Sequence, residues 1–396
     1  MKVNKDNQTA LKAKFDLLAR KGDVAAMEAV AKQLQAAAPD SDAGFIQEAR
    51  LHFAQKDYPA AISILDKVLA KNPESVAALL AKSDVLAAQK QYGKADKVLD
   101  QLHKVLPESA EAPFRKGRLL VEQQDIPGAI KQYEMALERA PESVPVLSAL
   151  VDLEVKQGQT DAAEQRLQKI LKDNPKHKSA NDLLGMVYMA KKDFVKAESA
   201  FVHQLEINPA SVTVYAQLAQ ARMANKDLAG AAQAFESGLK QLPDNIRLLI
   251  GLAGIREQQQ DYEAAITAYE KVLDKQPNNA VSTNNLVALL SDHRTDEASL
   301  AKAVELSANL EKTNQPAFLD TAGWVYYRKG DYDKAAKILK GVVDKAPKVP
   351  VFQYHLGMTY YKQGNKVAAR EHLTKATDGD YRYQGIEEAR ATLKTL

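Results

Sequence analysis

Between Pro316 and Pro347 the apolar positions follow one helical rhythm, break, and take it up again. Leu319, Ala322, Gly323 and Tyr326 recur at i, i+3, i+4 and i+7, which is one stripe on a helix. Ala335, Leu339 and Val342 repeat that spacing on a second helix. Gly330 and Asp331 between them suit a helix C-cap followed by a helix start. Gly323 and Ala335 are small where the two helices must approach closely, and the Pro347 ring stops the second helix. Such a hairpin has one wet face and one apolar face. It cannot bury the apolar face alone and needs copies of itself.

The chain supplies them. Prolines stand at 39, 73, 107, 141, 175, 209, 243 and 277, an unbroken period of 34 residues. Repeats are predicted to start near 8, 42, 76, 110, 144, 178, 212, 246, 280, 316 and 350. Their internal turns are marked by pairs such as Lys56-Asp57, Gln124-Asp125, Lys192-Asp193, Gln260-Asp261 and Gly364-Asn365, where Asp or Asn caps the second helix. Pro113 and Pro145 fall in the first turn of a helix, where a missing N–H costs little. The ninth repeat breaks register: Ser291-Asp292-His293-Arg294-Thr295-Asp296 reads as about four extra residues in its turn, a surface loop that the array tolerates. After Asp378-Gly379-Asp380, a narrow stripe of Ile386, Ala389, Leu393 and Leu396 reads as a capping helix that is polar outside. No comparable cap precedes the first repeat, and Phe15, Leu18 and Val24 are expected on an uncovered front edge.

A 34-residue period with this small and aromatic patterning resembles the tetratricopeptide repeat over nearly the whole chain. The window ending at Pro209 carries Leu184, Gly185, Tyr188, Ala197 and Phe201 of the family pattern, and the window ending at Pro277 carries Leu249, Leu252, Ala253, Ala265, Tyr269 and Val272. In the first repeat Met27 stands where the family has a small Ala. The fold that the resemblance implies is all-α: a right-handed superhelical solenoid of about eleven hairpins over residues 8–377, closed by a C-terminal capping helix over 380–396.

Composition narrows the function classes. Apolar content of 45% and charge of 27% suit a packed, water-exposed protein. The net charge of +3, from 54 basic and 51 acidic residues, gives no nucleic-acid footprint. The absence of cysteine excludes disulfides, thiolate chemistry, zinc ribbons and iron–sulfur ligation. Met1 to Phe15 is polar and charged, without the apolar core of a signal peptide, and nothing approaches the roughly 18 apolar residues of a membrane span. The seven histidines are scattered, with no His-Glu-x-x-His and no i, i+4 pair. No phosphate-binding or nucleophile-elbow motif occurs. The expectation is therefore no enzyme, no cofactor and no metal, with function carried by surface.

The resemblance implies that the first helix of each hairpin lines a concave groove, with positions 2, 5, 9 and 12 pointing inward. Position 9 of successive repeats gives Arg50, Asp84, Arg118 and Asp152, a ladder of alternating charge. Either it grips a partner's charged side chains, or the neighbours neutralise one another, each exposed pair being worth about 0–1 kcal/mol. At the other end the same columns give Asp320, Trp324, Tyr327, Tyr354, Met358 and Tyr361. Trp324, Tyr327 and Tyr354 are extra to the repeat pattern and, with Met358 beside them, have the composition of exposed interface anchors; packing on the inserted loop or the C-terminal helix is the other reading. The Lys/Asn/Arg clamp by which some members of the family hold a C-terminal carboxylate is missing from every three consecutive repeats.

The segments Gln315 to Tyr327 and Val351 to Tyr361 are similar to the terminal repeats of tetratricopeptide proteins, often lipoproteins, of bacterial exosortase/PEP-CTERM and exopolysaccharide systems. Those relatives carry a lipid-attachment cysteine near the start, and this chain has none. The resemblance implies a non-catalytic scaffold or adaptor that holds a protein or peptide partner in its groove, in envelope or exopolysaccharide assembly. Its location would be periplasmic if a targeting segment is missing here and cytoplasmic otherwise. The second reading is a structural protein that self-associates through the front edge.

Overall fold

The computed structural model describes residues 8–37, 41–294 and 296–396. Pro39, Thr295 and the first seven residues lie outside them. The described residues hold 23 α-helices and no strand. They fall into two compact units, residues 1–191 and 192–396. Unit 1 holds α1 (Gln8–Lys21), α2 (Val24–Ala37), α3 (Asp42–Ala54), α4 (Tyr58–Lys71), α5 (Val76–Ala88), α6 (Tyr92–Val105), α7 (Glu111–Glu122), α8 (Ile126–Arg139), α9 (Val144–Lys156), α10 (Thr160–Asp173) and α11 (Ala180–Ala190). Unit 2 holds α12 (Phe194–Ile207), α13 (Val212–Ala224), α14 (Leu228–Gln241), α15 (Ile246–Gln258), α16 (Tyr262–Lys275), α17 (Ala280–His293), α18 (Glu297–Glu311), α19 (Pro316–Lys329), α20 (Tyr332–Lys345), α21 (Pro350–Lys362), α22 (Lys366–Thr377) and α23 (Ile386–Thr395). Odd-numbered helices up to α21 are first (A) helices and even-numbered ones second (B) helices.

Within each unit every helix packs on its sequence neighbour, and several A helices also touch the next A helix. The turns that fold each hairpin are made locally. Asp57, Asp125, Asp193, Asp227, Asp261 and Asp331 each accept a hydrogen bond from the backbone N–H three residues on, at 2.8–3.3 Å. This satisfies one of the donors a helix start leaves open. The residue before the cap takes a left-handed conformation. It is Gly330 at φ +89° in one repeat, but Lys226 at φ +64° and Gln260 at φ +61° in others.

Hairpins close where a small residue of the A helix meets a large one of the B helix. A Cβ on Gly323 would stand 2.7 Å from Leu339, and one on Gly357 2.8 Å from Leu373. Ala265 and Ala335, in B helices, are fully buried. A carboxylate sits inside the packing of unit 1. Glu154 of α9 is buried and is held by Arg166 of α10 at 2.8 Å, which also reaches Glu134 of α8 at 2.7 Å. The guanidinium answers both carboxylates, so the buried Glu154 charge is paired.

The chain departs from its sequence pattern in two places. B helices begin at residues 24, 58, 92, 126, 160, 194, 228 and 262, then at 297, 332 and 366. The register therefore slips by one residue on each side of α18, not by four in one turn. Helices absorb the slip: α17 runs on to His293 with 14 residues and α18 has 15. The segment is also not a free loop. Arg328 donates to the Ser291 carbonyl at 2.9 Å, and Asp296 caps α18 at the Ser299 N–H, also at 2.9 Å. The second place is Phe15. It is fully buried against the first repeats, under the Arg50 guanidinium at 5.4 Å, so the front edge exposes Leu17 and Val24 but not that ring.

Candidate functional site

Unit 1 carries a groove on the side of its A helices. Two recesses open there, with volumes of about 550 and 540 Å³. They share Phe53 of α3, Asp84 of α5 and Arg115 of α7, and so adjoin one another. The floor is apolar, with Leu99 and Leu119 beneath one recess and Phe15 and Ile46 beneath the other. The Phe53 ring is only half-buried and lies 5.8 Å from Tyr58. The walls carry charge. Three residues of the predicted ladder, Arg50, Asp84 and Arg118, line the recesses, whereas Asp152 does not.

The ladder does not neutralise itself rung by rung. Arg50 pairs with Asp16 of the preceding A helix at 2.9 Å and donates to Gln47 at the same distance. Asp84 pairs with Arg115, which also holds Glu111 at 2.5 Å. Asp152 pairs with Lys156 one turn away at 2.7 Å. Arg118 is exposed and has no carboxylate within ion-pair distance among the described residues. Asp84 keeps 49% of its side chain open to the groove, yet the recess holds its pKa above the usual carboxylate range. Burial is the largest cause, and it outweighs the opposite pull of Arg115 and Arg118. Reading one position per repeat missed Arg115 and Phe53. Arg115 was findable, because it stands three residues before Arg118 on the same helical face.

The aromatic set of unit 2 packs on the chain itself, the second of the two readings of its sequence. Trp324 is 9% exposed, Tyr327 8%, Tyr354 3% and Met358 2%, so they are core and not exposed anchors. Trp324 and Tyr354 are covered by partners outside the repeat pattern. The Trp324 indole stacks on Tyr327 at 4.3 Å and on His355 at 4.1 Å, and its N–H donates to Asp292 at 3.1 Å. The Tyr354 hydroxyl donates to Glu388 of the C-terminal helix at 2.6 Å. Its ring packs on Gly385, whose φ of +96° and lack of a side chain let the backbone come that close. Beneath Trp324, Asp320 is buried and bonded to His355 Nδ1 at 2.8 Å. Burial pushes the Asp320 carboxyl up, against the opposing pull of His355. Burial, with the nearby Glu388 carboxylate, holds the Tyr327 hydroxyl at about 12.

Among the described residues no group of three His, Asp or Glu side chains is placed to hold a metal ion, and no helix is long and apolar enough to cross a membrane.

Known families match along most of this architecture. A model described as the cytochrome c-type biogenesis protein H TPR domain matches residues 167–283. Two tetratricopeptide-repeat models match residues 52–113 and 120–187, and residues 91–144 and 321–381. No curated protein matches the chain. Among solved structures, the complex of Naa15/Naa10 bound to HypK-THB is 17% identical, with a TM-score of 0.35, over 89% of this chain and 66% of that one. The C-terminal part of a TPR repeat-containing protein from Cytophaga hutchinsonii is 21% identical, with a TM-score of 0.43, over 61% of this chain and 99% of that one. Yeast Tom70 is 14% identical, with a TM-score of 0.40, over 98% of this chain and 95% of that one.

Proposed function

The chain is a tetratricopeptide-repeat protein, and we propose that it is a non-catalytic scaffold which holds a segment of a protein partner in the groove of unit 1. The observation that carries this reading is the pair of adjoining recesses around Phe53, where a half-buried ring, an apolar floor and an unpaired arginine lie together. A half-buried aromatic beside an arginine is the composition of an interface hot spot. Arg50 and Asp84 belong to the same wall, while Asp152 lies outside the recesses. In unit 2 the rings of Trp324, Tyr327 and Tyr354 pack on the chain itself, and with Met358 they set the shape of that end. The setting we propose is bacterial envelope or exopolysaccharide assembly, which rests on the likeness of residues 315–327 and 351–361 to proteins of those systems. A match to a biogenesis protein's repeat domain is in keeping with an assembly role.

The test is a titration of the partner recovered by affinity capture and mass spectrometry. Phe53→Ala should weaken binding by about 1–2 kcal/mol, as loss of an anchoring ring does. Arg118→Glu should slow association and alter its salt dependence. Unchanged binding by both variants, with melting curves like the parent's, would remove the groove of unit 1 from the interface.

A further inference from the structure

We infer that the groove of unit 1 selects peptide segments in which an Asp or Glu stands beside a bulky apolar residue, with Arg118 reading the carboxylate and Phe53 packing the apolar group; this rests on the groove being the binding site. Three observations lead there. First, of the three arginines lining the recesses, Arg50 and Arg115 are each occupied by a carboxylate of the chain, and Arg118 alone is not. Second, Asp84 in the same wall is already engaged by Arg115. Lys90 and Glu122, which line the same recess, carry opposite charges, and neither is within ion-pair distance of Arg118. Third, the same recess presents Phe53, Leu99 and Leu119, so an apolar side chain is buried next to the place where a carboxylate is held.

The electrostatics favour a carboxylate there over a neutral group. Phe53, Leu99 and Leu119 line the recess together with Arg118, so a bound segment would cover both the apolar floor and the guanidinium. In such surroundings a guanidinium–carboxylate contact gains more than it does on an open surface. A recess of about 550 Å³ lies within the range that takes a few side chains of a bound segment.

The experiment uses the full chain on an array of random-sequence peptides, for the parent and for Arg118→Gln and Arg118→Lys. One retained peptide and its Glu→Gln counterpart are then titrated against all three proteins, with melting curves alongside. The expected result is that retained peptides are enriched in Asp or Glu next to Leu, Phe or Tyr. The parent should lose roughly tenfold in affinity when the peptide Glu becomes Gln, which is the scale of one charge-assisted hydrogen bond. Arg118→Gln should bind both peptides equally weakly, and Arg118→Lys should fall between. Peptides retained without acidic enrichment, or an unchanged preference in Arg118→Gln, would overturn this inference and leave the groove reading standing. If the parent retains no peptide at all, both fall together.

Discussion

Two glycines of α15 allow the packing account to be tested without changing the local environment. Gly251 and Gly254 lie three residues apart on one helix, and both are partly exposed. A Cβ at Gly251 would stand 2.5 Å from two ring carbons of Phe235, whereas a Cβ at Gly254 meets nothing within 4 Å. Alanine at either site gains the same helix propensity, about 0.5–1 kcal/mol. Only Gly251→Ala must also push a buried aromatic ring back by about an ångström, and overpacking of that kind costs about 1–3 kcal/mol. Gly254→Ala should therefore stabilise by about 0.5–1 kcal/mol. Gly251→Ala should lie about 1–3 kcal/mol below it, at or under the parent. The assay is urea unfolding followed by far-UV circular dichroism, with hydrogen exchange of the α15 amides beside it. Long repeat arrays need not unfold as one unit, so the local probe carries the comparison. If the two variants shift stability alike, the small-against-large contact between α14 and α15 is not what sets the distance between successive hairpins.

Two further outcomes follow from unit 2. Trp324→Ala removes a buried indole with its stacking partners and should destabilise by about 3–5 kcal/mol in thermal or urea melts; a variant that melts like the parent would return Trp324 to the surface. Burial raises the Asp320 pKa, so its protonated form is favoured in the folded state. That contribution is complete below the unfolded value of about 3.9 and is lost as pH rises through the folded pKa. The parent should thus lose stability relative to Asp320→Asn as pH rises above about 4, and parallel pH–stability curves would count against it.

The repeat was legible because its signals are local. An Asp cap and a helix-stopping proline recur with the chain, and neither depends on what packs above. The same landmark misled in the ninth repeat. Pro277 and Pro347 stand three residues before a helix start, but Pro316 is itself the first residue of α19. Counting from prolines therefore overstated an insertion that the helix starts show to be two residues. The aromatic set had two readings for a different reason. Trp324 and Tyr354 are covered by Asp292, His355, Gly385 and Glu388, which belong to the register slip, the neighbouring A helix and the C-terminal segment. None of these is predictable from a period. The groove was half legible: the column of alternating charge is in the sequence, but which arginine is left over depends on Arg115 taking Asp84 in space.

The central claim is that a partner segment lies on the A-helix side of unit 1. It is tested most directly by hydrogen–deuterium exchange of the full chain with and without its captured partner. Protection is expected in α3, α5 and α7, around Phe53, Asp84 and Arg118, with the B helices α4 and α6 little changed. Protection confined to B helices, to unit 2, or to the two ends of the chain would contradict the account.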